Sequence, residues 1–370
     1  VSLHFQWYCF LMKIIRKGLI YLAILMSTSG TMFGNSYFAS YFHLRYSAIQ
    51  NAENYFSIRR FILFGKSDLL KNTTLSWRFI YMHNNKMSTD DRIYLQHCYL
   101  DVNASPMLNF RLGQFKPPFG WERFVADYKI AGVERSLVID RLIPVGSIAP
   151  SFARDYGIKL FGDLKESLLS YEFAATTGNG ANRNLTLNNG PMLSGRLNLT
   201  KVLSNPGIKT PWQLLAQLAF SYRKDQDINF TKQLPGEGED SLQHYRGRDQ
   251  RINAAIELEH GTSRVAAEYI HARFSPKEQS MADLNANGIA CQLSHFFHPS
   301  IQAVLKYETF NPNIKTNSVH DVTLLTLGTN LYFNQQDGRL MVNYIYKTME
   351  GNESSDHFLI IQLQYFLFKR

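Results

Sequence analysis

Cysteine is scarce in this chain, with three in 370 residues. Cys9 falls in an N-terminal leader, which leaves Cys98 and Cys291 on different predicted strands. A small scaffold held by disulfides is thereby excluded, and both thiols read as unpaired packing residues. Long apolar runs are lacking as well. After the leader no segment approaches the roughly twenty consecutive apolar residues of a transmembrane helix. The sequence has no G-x-S-x-G, no H-E-x-x-H and no phosphate-cradling glycine loop. No domain linker, tandem repeat or low-complexity segment interrupts it.

The leader is read from Met12, the expected true start. Lys13, Arg16 and Lys17 form a positive n-region, Leu19 to Met26 is a short apolar run, and Ser27 to Thr31 is a small-residue zone. That is the pattern of a secretory signal over 1–34, with cleavage expected near Gly34. A single domain, 35–370, follows. Loss of the leader removes three cations and no acid, so the net charge falls from +9 to +6. Charge alone does not choose among anions, nucleic acid and anionic lipid as partners.

What the chain has in abundance is aromatic residues, 14% of the total with twenty tyrosines, and alternation. Trp212, Leu214, Ala216, Leu218, Phe220 and Tyr222 alternate with Gln213, Gln217, Ser221 and Arg223. Leu340, Val342, Tyr344 and Tyr346 alternate with Arg339, Asn343 and Lys347. This period of two marks strands with one greasy and one wet face. Such strands are expected near 37–47, 55–65, 73–83, 92–103, 107–116, 155–163, 168–177 and 192–201. Others are expected near 212–223, 249–260, 263–274, 287–297, 300–310, 319–333, 338–348 and 357–368. Sixteen is an even number, as a bacterial single-chain transmembrane barrel requires, and aromatic girdles at the two interfaces account for the tyrosines. The predicted fold class is therefore all-β, a transmembrane antiparallel β-barrel. A soluble sandwich also alternates, but its turns would not leave so many glutamines, arginines and glutamates on one face.

One connection stands out. In Arg111-Leu-Gly-Gln-Phe-Lys-Pro-Pro-Phe-Gly120 a strand is stopped by Pro117 and Pro118, which cannot donate to a sheet ladder. A long basic segment follows, with Arg123, Lys129, Arg135, Arg141 and Arg154. A strand feeding such a loop suggests a barrel whose lumen is narrowed from within. A narrow channel selects by fixed partners that replace an ion's water, and arginine's planar fork suits oxyanions. Arg59, Arg78 and Arg111 on strands, with Lys116, Arg123, Lys129, Arg135 and Arg141 on the loop, are the candidate pore-lining, anion-binding set. The bland alternative is that each loop cation pairs with an acid and braces the loop, Arg135 with Glu134 and Arg154 with Asp155 above all. Arg59 and Arg60 cannot both face the lumen of a regular strand, so Arg60 is expected near an interface. Asp283-Leu-Asn-Ala-Asn-Gly288 opens like a calcium loop, but Ser294 stands where a bidentate glutamate is needed. No metal, cofactor or catalytic residue is assigned.

These motifs resemble the phosphate-selective porin O/P family of Gram-negative outer membranes, which shares an RxGQFKxPFG-like run. Phe56-Ser-Ile-Arg-Arg-Phe-Ile-Leu-Phe-Gly65 is similar to the family's early arginine-bearing strand. Glu134-Arg-Ser136, Arg154-Asp-Tyr-Gly157, Thr177-Gly-Asn-Gly180, Leu305-Lys-Tyr-Glu308, Leu327-Gly-Thr-Asn330 and Gln364-Tyr-Phe-Leu-Phe368 follow in its order. The resemblance implies a sixteen-stranded homotrimeric porin with its third loop folded into the pore, in contact with outer-membrane lipid and lipopolysaccharide. Two departures stand out. Lys369 and Arg370 follow the terminal aromatic, and this loop carries mainly arginines where the best-known members cluster lysines. The expectation is passive diffusion of small solutes with an anion preference and no nucleic-acid partner. An adhesin or binding barrel, or a barrel-borne hydrolase with a His–nucleophile pair at one rim, is the alternative.

Overall fold

A computed structural model describes residues 35–369 except 51, 84–91, 145–152, 165–167, 183–189, 205–209, 231–233, 235–243, 279–281, 316–319 and 351–354. The leader, its cleavage site and most of the polar loop between 224 and 248 lie outside the described residues.

Each expected strand is present. They are β1 (Ser36–Ile49), β2 (Tyr55–Leu70), β3 (Thr73–His83), β4 (Ile93–Ser105), β5 (Leu108–Phe115), β6 (Asp155–Leu164), β7 (Leu169–Thr176) and β8 (Met192–Leu203). Then come β9 (Trp212–Ile228), β10 (Tyr245–His260), β11 (Ser263–Pro276), β12 (Leu284–His298), β13 (Ile301–Asn311), β14 (Val322–Phe333), β15 (Gly338–Met349) and β16 (Asp356–Lys369). Every strand pairs with its sequence neighbours, and β1 pairs with β16, so the antiparallel sheet closes into a barrel without an edge. One short helix, α1 (Leu137–Leu142), lies between β5 and β6.

The two faces differ as the alternation requires. Along β10 the residues from Tyr245 to Ile256 are alternately buried and exposed, with Asp249, Arg251 and Asn253 buried and Ile252 and Ile256 exposed. Leu218 and Phe220 on β9 and Leu325 and Leu327 on β14 are likewise exposed. A continuous apolar exterior of this kind is unsustainable in water and is the face a bilayer covers. Aromatics gather at its two ends. Trp212 stacks on His260 at 4.4 Å beside a short turn, and Tyr46 meets Phe56 at 4.9 Å at the opposite end.

Two features depart from the regular pattern. β9 and β10 run four to five residues further than expected, pairing Lys224 with Arg248 and Ile228 with Tyr245. Their hydropathy alternation stops there while backbone pairing continues, held by a buried network in which Arg223 and Arg251 both bond Asp249. The second departure corrects the reading of Arg60. β2 carries a register shift between Ile58 and Phe61, an extra residue that turns Arg59 and Arg60 to the same buried face.

That polar face also holds an apolar island. Ile270, Ala272, Phe274, Ala286, Ala290 and Phe310 of β11–β13 cluster with Val138, Ile139 and Leu142 of α1. The segment between β5 and β6 is launched by Gly113, whose φ of +126° and close approach to the Cys98 carbonyl tolerate no side chain.

Candidate functional site

The β5–β6 segment binds the wall in two ways. On β1–β3 the wall supplies guanidinium groups and the segment supplies carboxylates. Arg59 holds Glu134 with a fork, Nε to Oε1 at 2.7 Å and Nη2 to Oε2 at 3.1 Å, and Arg45 donates to the same Oε1. Arg78 donates to Asp127 at 2.7 Å, and Arg60 stands 3.3 Å from it. Arg135, from the segment itself, donates to the other Asp127 oxygen at 2.6 Å. Burial alone would raise both carboxyl groups. Arg60, Arg78 and Arg135 around Asp127, and Arg45 and Arg59 around Glu134, outweigh it and hold both well below the usual range.

Around the rest of the barrel the segment offers its backbone. The amides of Trp121 and Glu122 donate to the two Glu268 carboxyl oxygens at 2.6 and 3.0 Å. The Leu137 amide donates to Glu308 at 2.6 Å, and the Val133 amide to Asn343 at 3.0 Å. Carbonyls are taken in turn: Arg339 donates to Ile130, Asn330 to Ala131, and Arg251 to Leu142 and Ile143. Backbone groups buried away from water must find partners, and here the wall provides them.

Between the ionic contacts lies a cavity of about 20 Å³, room for about one water. Arg59, Arg60, Arg123, Arg135 and Arg154 line it against Asp127, Glu134 and Asp140, an excess of two positive charges if all are ionised. Asp140 differs from the other acids. Burial first, and then the charge of Glu134, push it up to about 7. Burial and the neighbouring Arg135 push Arg123 down to about 9.

Of the candidate residues, Arg59, Arg78, Arg123 and Arg135 converge here. Lys116 sits at the edge, donating to the Arg123 carbonyl at 2.9 Å. Arg141 is half-buried on α1, and Lys129 is exposed. Arg111 lies apart, forked on Asp101 at 2.7 and 2.8 Å and stacked 3.7 Å over Tyr99. The expected braces pair differently. Arg135 takes Asp127 rather than Glu134, and Asp155 accepts from Thr177 at 2.6 Å while Arg154 donates to Gln96 at 3.4 Å. Adjacent residues of an extended chain point to opposite sides, so sequence neighbours are poor partners. Arg45, Arg60 and Arg154 belong to the site although they are outside the candidate set. Arg45, flanked by Leu44 and Tyr46, carries the same alternation signal as Arg78. Arg60 is hidden by the bulge.

The Asp283 turn is an ion pair with Arg273 at 2.6 Å, after which β12 begins. His298 Nδ1 accepts from the Ser300 amide, and His295 Nδ1 lies 2.8 Å from the Ser263 hydroxyl.

Solved structures with the same fold include the anion-selective porin of Comamonas acidovorans, at TM-score 0.62 and 11% identity over 90% of this chain and all of that one. A complex of Salmonella typhi OmpF with daunomycin matches at 0.62 and 12%, over 90% and 97%. In-vitro folded OmpT of Vibrio cholerae, an outer membrane protein in its trimer form, matches at 0.57 and 11%, over 90% and 99%. No curated protein matches. The model of the family described as phosphate-selective porin O and P matches residues 33–367, nearly the whole chain, and with the closed sixteen-stranded barrel it settles the class: this protein belongs to the phosphate-selective porin O and P family and is an outer-membrane porin.

Proposed function

We propose that the protein is a passive, anion-preferring channel whose third long connection, the β5–β6 segment, folds into the barrel and forms its constriction. A segment that bonds the polar faces of β1–β3, β10, β11 and β13–β16 together reaches opposite walls of one closed sheet, which favours a path through the interior. The observation that carries the anion preference is the cavity at that point, where five arginines meet three acids. A small oxyanion losing water beside this arginine cluster meets planar, permanently charged donors, which favours small oxyanions, phosphate among them, as permeants.

A leader, 1–34, directs a single barrel domain, 35–370, to the outer membrane of a Gram-negative bacterium. The mature chain is a homotrimer whose apolar exterior meets lipid and lipopolysaccharide. Arg59, Arg78, Lys116, Arg123, Arg135 and Arg141 act at or near the constriction, Arg111 and Lys129 outside it. No catalytic activity is assigned. The Ser263–His295 pair is a His–hydroxyl contact of the kind a rim nucleophile needs, yet among the described residues no carboxylate orients that histidine. The test is the single-channel conductance and reversal potential of the refolded protein in a planar bilayer under a salt gradient. An anion-favouring potential is expected. A cation-favouring one would overturn the anion preference, and no conductance from inserted protein would return the adhesin and enzyme readings to the front.

A further inference from the structure

Glu134 is placed as a ligand rather than as an anchor. Its stretch of chain is held by backbone bonds that do not involve the carboxylate. The Val133 amide donates to Asn343 at 3.0 Å, the Val133 carbonyl accepts from Arg45 at 3.2 Å, and the Glu134 carbonyl accepts from Lys306 at 3.3 Å. Its side chain is 28% exposed where the Arg45 and Arg60 side chains are 7% exposed, so the carboxylate caps the arginines from the open side. Asp127, in contrast, is 9% exposed and enclosed by Arg60, Arg78 and Arg135.

The arginines treat Glu134 as they would a free oxyanion. Arg59 grips both oxygens with adjacent nitrogens, the fork geometry that matches a carboxylate or a phosphate. Arg45 adds a donor to one oxygen. Arg60 Nη2 stands 4.0 Å from the other, short of a hydrogen bond, and the buried Arg60 Nε has no acceptor among the described residues. Buried guanidinium donors left over beside an occupied fork are capacity for an acceptor of another shape.

We infer that the Glu134 carboxylate is a tethered counter-anion that occupies a receptor built by Arg45, Arg59 and Arg60, and that it sets the channel's affinity for small carboxylates and phosphate by competing with them. The inference rests on the anion-channel reading above. It makes Glu134, an acid, a specificity-determining residue of an anion channel. Glu134 swings out when a permeant oxyanion takes the fork, and returns when it leaves, so the site releases its ligand instead of trapping it.

The experiment is block of chloride current by inorganic phosphate in planar bilayers, comparing the full chain with E134Q and E308Q. Glutamine keeps the shape of Glu134 and removes its charge. E308Q weakens the attachment of the same segment at the Leu137 amide without touching the three arginines. E134Q is expected to lower the half-blocking phosphate concentration roughly tenfold, the worth of a charge-assisted bond, and E308Q to leave it within about twofold. An unchanged or raised value in E134Q overturns the inference. An equal fall in both variants overturns it too, because loosening of the segment would then suffice. Should E134Q fail to fold, E134D is expected to shift the value in the same direction by less, and no shift in E134D overturns the inference. Absence of wild-type chloride current would fell the channel reading itself, whereas normal current with an unmoved phosphate block fells only this step.

Discussion

The wall at β1–β3 and the wall at β11–β13 both receive the β5–β6 segment, and they do so with opposite chemistry. On the first side, arginines of the barrel meet Asp127 and Glu134 side chain to side chain. On the second, Glu268 and Glu308 take backbone amides, and α1 packs its apolar face onto Ile270, Phe274 and Phe310. Backbone contacts hold the segment whatever side chains it carries. Ionic contacts set the charge of the space it encloses. On the proposed reading, position and selectivity belong to different sides of the barrel, and substitutions on the two sides should separate them.

The sharpest way to break the comparison is Asp127→Ala. It strands Arg60, Arg78 and Arg135 in a buried setting, at a cost of about 3–5 kcal/mol. Urea or thermal unfolding in detergent measures this, and a cost below about 1 kcal/mol would mean that the ionic side holds nothing. Glu268→Ala comes next. It frees two amides of the segment and one bond from Asn253, at about 2 kcal/mol, and the loosened segment should raise single-channel conductance. If conductance stays unchanged, the backbone side does not set position.

A smaller effect concerns pH. Asp140 lies on the segment among Glu134, Glu122, Arg59 and Arg135, with its carboxyl pushed up to about 7, foremost by burial. Below pH 7 it is mainly neutral and above pH 7 mainly charged, so the site gains one negative charge as pH rises from 6 to 8. Anion preference, read as reversal potential, should fall across that interval by less than twofold in permeability ratio, and Asp140→Asn should flatten it. Glu134 and Asp127, held low by their arginines, contribute nothing in this window. Smallest of all is Arg111→Gln. Arg111 is already neutralised by Asp101 and stacked on Tyr99, so the reversal potential should stay put, and a marked shift would place Arg111 in the permeation path after all.

Arg59 and Arg60 mark the limit of what alternation could say about this site. The period of two located β2 and marked Arg59 as wet-faced, yet it sent Arg60 to the wrong place because a bulge adds one residue to the count. A bulge is a property of two strands in register, and neither strand announces it alone. The same holds for the braces. Arg135 and Arg154 were legible as loop cations, but their partners, Asp127 and Gln96, are neighbours only once the chain has folded back. The lengthening of β9 and β10 was hidden for a related reason. Beyond Arg223 the strands pair through their backbones while their side chains no longer alternate in hydropathy.

By itself, then, the sequence determined the number of strands, their order and which residues form the apolar outer face. These are local matters, since a charge on the lipid face costs roughly 2–4 kcal/mol near the midplane and every strand must obey the rule alone. It also marked the break at Pro117 and Pro118 and the basic character of the segment beyond them. Only the tertiary structure decided which cations remain available to a permeant ion. That depends on pairings between residues tens to hundreds of positions apart, such as Arg45 with Glu134 and Leu137 with Glu308. A buried charge is neutralised by whichever partner the closed barrel brings within reach, and distance in space, not along the chain, sets that interaction.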